Sequence, residues 1–201
     1  MDKLTILRNK FNSYRDKHDY TPGILMLRKA LEKSSDNLDI LYMLAELLEK
    51  RGLNKKRKKD LEDAGNLYNL LIKKYPKSHQ GYFGKIRVLL RKKDKRALAY
   101  AKKYLKISKD KAYNMYIGHC YREFNDLKNA KKHYLLGYKA IKGHYGPDYA
   151  LATLYMEMGD IKNAKKYAAS GLKKYEKMSK KYKNNKLVKK YISELENIIK
   201  K

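Results

Sequence analysis

Residues 126–132 read DLKNAKK, and residues 160–166 read DIKNAKK. Six of these seven positions are identical at a separation of 34 residues. A motif returning at roughly 20–50 residues marks an array of stacked units, so this recurrence constrains the fold more than any other feature. The match extends upstream. Ile117, Gly118 and Tyr121 align with Leu151, Ala152 and Tyr155, and Asn125 aligns with Gly159. The interval suits a helix, a turn, a second helix and a connecting turn. Two closely packed helices need a small side chain where their backbones approach. Gly118 and Ala152 supply it on the first helix, and Ala130 and Ala164 on the second. Tyr121, Tyr134 and Tyr155 fill the space beside them. Asn125 and Gly159 stand where the first helix must stop, and both residue types tolerate the left-handed conformation. Asp126 and Asp160 follow as natural caps.

This pattern resembles the tetratricopeptide repeat, W-x2-L-G-x2-Y followed by A-x3-F and P. The resemblance covers about nine-tenths of the chain and places five units. The first, 4–37, carries Phe11 and Tyr14, a turn at His18-Asp19-Tyr20, and Thr21-Pro22-Gly23 opening its second helix. The second, 38–76, carries Leu44, Ala45, Leu48, Gly52, Ala64, Tyr68, Leu71 and Pro76, with an insertion near 53–60. The third, 77–110, carries Phe83-Gly84, Ala97, Ala101 and Tyr104, with its internal register slipped by about one residue. The fourth and fifth are 111–144 and 145–178. The chain departs from the family in having no Trp. The resemblance implies an all-α, right-handed superhelix of antiparallel helix pairs, with 1–201 as a single array. In the non-repeating remainder, Leu187, Val188, Tyr191, Ile192, Leu195, Ile198 and Ile199 recur at helical spacing. A capping helix over about 179–200 is expected to cover the open apolar end of the stack.

Composition agrees with a folded, non-catalytic protein. The apolar fraction is 43%, too high for a disordered polycation. No run of about 18 apolar residues occurs, so no membrane span is expected. The opening MDKLTILRNKFNSYRDK turns charged too soon to read as a secretory signal. A single cysteine, Cys120, excludes an internal disulfide framework and points to a reducing, cytoplasmic setting. The histidines His18, His79, His119, His133 and His144 are scattered. No HExxH, CxxC or phosphate-binding glycine loop occurs. No cofactor, metal site or catalytic residue is expected, and Cys120 reads as a buried packing residue.

The family binds its ligands along the first helices of the units. Transferring its groove positions residue by residue selects Arg8, Asn12 and Arg15 in unit one. Unit two contributes Tyr42, Met43, Glu46 and Glu49, and unit three Tyr82 and Lys85. Unit four contributes Met115, Tyr116, His119 and Arg122, and unit five Tyr149, Thr153 and Met156. Chaperone-binding members clamp a C-terminal carboxylate with Lys, Asn and Arg. Here Met43, Ser78 and Tyr82 stand at key clamp places, so no such clamp is expected.

The chain has 50 Lys and Arg against 21 Asp and Glu, a net charge of +29. Residues 91–111 and 172–201 each carry a net +8, and Lys55-Lys56-Arg57-Lys58-Lys59 crowd the insertion. The basic set comprises that run with Arg91, Lys92, Lys93, Lys102, Lys103, Lys180, Lys181 and Lys183. Such a field attracts polyanions. Its bland explanation is a solvated outer face of lysine stems. The sequence therefore reads as an interaction scaffold holding another protein, an acidic peptide or subunit. The alternative is RNA or DNA association through phosphate contacts. In that reading Tyr104 and Tyr182, set among lysines, would stack on single-stranded bases.

Overall fold

In the computed structural model, residues 2–201 are described apart from the side chain of Lys181, and every regular element among them is helical. The chain packs as two compact units, Met1–Ser108 and Lys109–Lys201. The first holds three helix pairs: α1 (Lys3–Asp16) with α2 (Tyr20–Lys33), α3 (Leu38–Asn54) with α4 (Lys58–Lys74), and α5 (His79–Arg91) with α6 (Arg96–Ser108). Each pair leans on the next through α2 against α3 and α4 against α5. The second unit opens with a 3-10 turn at Lys111–Tyr113. It continues with α7 (Asn114–Glu123) and α8 (Leu127–Ala140), then α9 (Gly146–Glu157) and α10 (Ile161–Glu176). A short α11 (Lys180–Lys183) leads into α12 (Lys186–Lys200), which lies against α10 and α9. On α12, Val188, Ile192, Leu195 and Ile198 are buried, whereas Leu187 and Ile199 face solvent.

One turn is used five times. The first helix of each pair ends with a residue at positive φ: His18, Lys56, Lys93, Asn125 and Gly159, between 51° and 74°. The next residue returns its N–H to a carbonyl five positions back: Asp19 to Tyr14, Arg57 to Gly52, Asp94 to Leu89, Asp126 to Tyr121 and Asp160 to Tyr155, at 2.8–2.9 Å. This is the left-handed helix stop that satisfies carbonyls left open at a helix end. The aspartates then start the second helix. Asp126 Oδ1 accepts from the Asn129 backbone N–H at 3.0 Å, and its Oδ2 from the Asn129 side chain at 2.7 Å. Asp160 and Asn163 repeat both contacts at the same distances. The shared D-x-x-N spacing is thus a two-bond cap.

Small residues decide how closely the helices approach. A Cβ at Gly118 would lie 2.3 Å from the Tyr134 ring, and one at Gly84 would lie 2.1 Å from the Tyr68 ring. Both tyrosines are fully buried. Tyr134 meets the first helix of its own pair, whereas Tyr68 reaches across to the first helix of the following pair. Gly65, in the middle of α4, is different: a Cβ there would meet only Val88 Cγ1, at 4.0 Å.

One local expectation is corrected. Tyr20 does not sit in a turn; it begins α2, is buried, and its hydroxyl accepts from Asn54 Nδ2 at 2.8 Å. The extra residues near 53–60 end α3, form the turn at 55–57 and begin α4. Helices α3 and α4 span 17 residues each, against 14 in α1 and α2. The reason is a buried ion pair at the join. Arg51 donates Nε and Nη2 to the Asp60 carboxylate at 2.7 and 2.8 Å, and Nη1 to Thr21 Oγ1 at 3.2 Å. Those contacts tie the ends of α3 and α4 to α2.

The glycines separate by role. Gly118→Ala is expected to destabilise the fold by about 1–3 kcal/mol, through overpacking against Tyr134. Gly65→Ala is expected to stabilise it by about 0.5–1 kcal/mol, because a mid-helix glycine is replaced with no clash. Denaturant unfolding of both variants checks this, and a destabilised Gly65→Ala would contradict the open space above that residue.

Candidate binding faces of the first helices

In the first unit, α1, α3 and α5 share one face. Arg8 is exposed on α1 and pairs with Asp39 of α3 at 3.0 Å, while Asn12 is half-buried. Tyr42 and Glu46 are half-buried on α3. At the centre lies buried Glu49. It accepts from the Tyr68 hydroxyl at 2.8 Å and from Arg87 Nε at 3.1 Å, and Arg87 Nη2 donates both to Glu49 and, at 3.0 Å, to the Tyr68 hydroxyl. Arg91 Nε stands 3.7 Å from the same carboxylate. The Arg87 guanidinium lies over the Phe83 ring, 4.5 Å from its centroid. Burial pushes the Tyr68 phenol far above its ordinary pKa, and the Glu49 charge pushes it further.

The second unit builds the same device with the charges exchanged. Tyr134 enters from α8 beside Gly118, and its hydroxyl lies 2.7 Å from His119 Nδ1. Arg122 of α7 places Nε 3.1 and 3.0 Å from the two carboxylate oxygens of Glu157 on α9, and Nη1 3.1 Å from Thr153 Oγ1. Where the first unit has an acid on the earlier helix and a base on the later one, the second has the reverse. Tyr149 is half-buried, stacks on Tyr191 with centroids 4.5 Å apart, and donates its hydroxyl to Glu194 of α12. Tyr116 is half-buried beside Tyr113, with centroids 4.6 Å apart. His119 is exposed at residue level. The protein crowding its ring and the Arg122 charge still hold its pKa down to about 4.

Several residues chosen from the sequence are not on these faces. Tyr82 is enclosed at 0% exposure and packs against Tyr104, with centroids 4.8 Å apart. Lys85 precedes Arg87 by two residues, about 200° around a helix of 3.6 residues per turn. It therefore points away from α3, and Phe83, Arg87 and Arg91 take the places expected for Tyr82 and Lys85. Met43 and Met115 are buried, and so is Tyr104, which cannot stack on a base. Cys120 is buried, and burial pushes its thiol pKa up to about 12, consistent with a packing residue.

Apart from Arg91, the basic residues lie away from these faces. Lys55, Lys56, Arg57, Lys58 and Lys59 are exposed where α3 turns into α4, and Arg91, Lys92 and Lys93 where α5 turns into α6. Both turns join the first helix of a pair to its second, so they occupy the same edge of the stacked hairpins. Lys102 and Lys103 are exposed on α6, and Lys180 on α11. Lys183 is half-buried and donates to the Glu176 carbonyl at 2.7 Å. The side chain of Lys181 lies outside the described residues. Among the described residues, no group of three His, Cys, Asp or Glu could hold a metal ion, and no helix is long and apolar enough to cross a membrane.

By sequence, the chain matches no protein-family model and no curated protein. By structure it is similar to solved proteins over nearly its whole length. TTC0263, a thermophilic TPR protein in Thermus thermophilus, aligns with a TM-score of 0.74 at 18% identity, covering 97% of this chain and 98% of that one. PilW, a type IV pilus biogenesis factor, aligns with a TM-score of 0.67 at 17% identity, covering 98% and 94%. MamA from Desulfovibrio magneticus RS-1 aligns with a TM-score of 0.63 at 15% identity, covering 89% and 98%. The fold is therefore an all-α, TPR-like solenoid of antiparallel helix pairs.

The depressed pKa of His119 has a consequence for stability. The folded state binds this proton less readily than the unfolded chain, so its contribution is fully present above about pH 6.5, the ordinary histidine value. That contribution is lost as pH falls from there toward about 4. His119→Gln is expected to flatten that part of the stability profile. Thermal melts at stepped pH for both proteins check the difference, and parallel profiles would count against the assignment.

Proposed function

We propose that this chain is a non-catalytic scaffold that holds a segment of another protein along the faces formed by its first helices. The observation that carries the reading is the pairing of half-buried tyrosines with ion pairs that are already satisfied. Tyr42 stands beside the Glu49–Tyr68–Arg87 network, and Tyr116 is on the same helix as the Arg122–Glu157 pair. A tyrosine held in place loses little side-chain entropy on binding and offers both an apolar body and a polar tip. The internal ion pairs keep the face rigid without presenting a strong charge of either sign. The solenoid fold suits the same role, since its members display one helix per pair on a common surface.

An acidic partner fits the surroundings of these faces. The surplus of +29 draws such a partner in from a distance, while the tyrosines make the close contacts. A second reading, association with RNA or DNA through phosphates, is supported by the exposed lysines at the α3–α4 and α5–α6 turns.

A double substitution of Tyr42 and Tyr116 by Ala is expected to weaken partner binding about 30-fold or more, as for central aromatic anchors, with helical content unchanged. The partner is first isolated from nuclease-treated native extract by cross-linking, and affinity is then measured with the purified protein. Charge reversal at Lys55, Lys56, Lys58 and Lys59 is expected mainly to slow association. Should the reversal abolish binding while the tyrosine variant binds normally, the basic edge is the site and the first-helix reading fails.

A further inference from the structure

A cavity of about 120 Å³ opens in the first unit between α4 and α5, on the side of α5 turned away from the α3/α5 face. Gly65 and Asn66 of α4 line it, with Lys85 of α5, Lys92 just past its end and Arg96 of α6. Two lysines, and an arginine already paired with Asp94, thus border a space roomy enough for one small oxyanion. We propose that this cavity is a phosphate site, with Lys85, Lys92 and Arg96 as its charged donors and Asn66 as a neutral one.

Two independent features support it. The first is Gly65. Glycine in the middle of a helix is unfavourable, and other helical glycines here leave room for a neighbour: a tyrosine ring at Gly84 and Gly118, Leu47 at Gly23 and Met115 at Gly137. At Gly65 nothing occupies that room, since a Cβ would touch only Val88 at 4.0 Å. The missing side chain keeps a hollow open and contributes nothing to packing. The second is unneutralised charge. Among the described residues, neither Lys85 nor Lys92 forms an ion pair, although Lys85 is half-buried. The nearby Asp94 is engaged by Arg96, whose Nε lies 3.0 and 2.9 Å from its carboxylate oxygens. Glu62, the one carboxylate in the lining, is at the rim and faces Lys59 at 3.9 Å. Burial, with the charges of Arg96 and Lys92, pushes the Lys85 ammonium below its ordinary pKa, a cost that a bound anion relieves. A tetrahedral oxyanion can take donors arriving from several directions at once, which a planar carboxylate does less well.

The phosphate can be free or part of a nucleic-acid backbone, and the test distinguishes these. Amide shifts of the whole chain are followed by NMR while inorganic phosphate, or a short single-stranded oligouridylate, is added at constant ionic strength held with chloride. Shifts are expected to centre on residues 62–66, 85–92 and 96. Gly65→Leu, which fills the hollow, and Lys85→Gln, which leaves it open, are each expected to weaken binding at least tenfold. If Gly65→Leu does not fold, Lys85→Gln carries the test alone. A response to phosphate alone identifies a free oxyanion site. A response to the oligonucleotide at the same amides, competed by phosphate, identifies a backbone contact. Absence of any response, shifts spread evenly over the lysine-rich surface, or equal binding by the folded variants overturns the proposal.

Discussion

The structure depends on a large ring occupying the place of a missing side chain. At Gly84 and Gly118 the helix backbone is bare, and Tyr68 and Tyr134 fill the vacated volume. This allows close approach without a cavity, which packing at interior density requires. It also has an electrostatic consequence. A tyrosine pushed that far between helices brings its hydroxyl to the far side, where burial demands a partner. Glu49 with Arg87 meets that demand in the first unit, and His119 in the second. The polar centre of each first-helix face therefore follows from the packing solution behind it.

This coupling explains how a chain with so large a positive charge can keep its first-helix faces close to balanced. Arg87 and Arg122, the two at the centres of these faces, are each tied to a carboxylate on a neighbouring first helix. Arginine suits the task because its planar fork bonds a carboxylate through two N–H groups. The surplus is mostly lysine and includes exposed residues at the hairpin turns, on α6 and on α12. In the proposed scaffold role, attraction at long range and recognition at short range would fall to different surfaces of the molecule.

The turns show how differently two instances of one structure can read in a sequence. Asn125-Asp126 and Gly159-Asp160 announce themselves, since Asn and Gly accept the left-handed conformation and Asp caps the next helix. Lys56 and Lys93 adopt the same conformation with nothing in their chemistry to signal it. They make the same local helix-stop bonds, from Arg57 to Gly52 and from Asp94 to Leu89, without a residue type that marks the place. The third pair is the clearest case for the first-helix face. Gly81 and Gly84 both fit the role of a close-approach residue, and Tyr82 and Phe83 both look like its aromatic neighbour. Which of them faces α3 depends on the rotation of α5, and Tyr68 inserting at Gly84 decides that rotation. The bonds from Arg87 to Glu49 and from Arg122 to Glu157 join residues 38 and 35 positions apart, and no local pattern relates them.

What the sequence by itself determined was the repeat, the helical class, the capping aspartates and the small-and-large pairing of Gly118 with Tyr134. These rest on interactions within a turn or a hairpin, where spacing along the chain fixes spacing in space. The tertiary structure alone decided the azimuth of α5, the exchange of charge between the two units, and the open hollow above Gly65. Each of these depends on which side chain of one helix pair reaches the next pair, and that contact is set by packing between segments far apart in the chain.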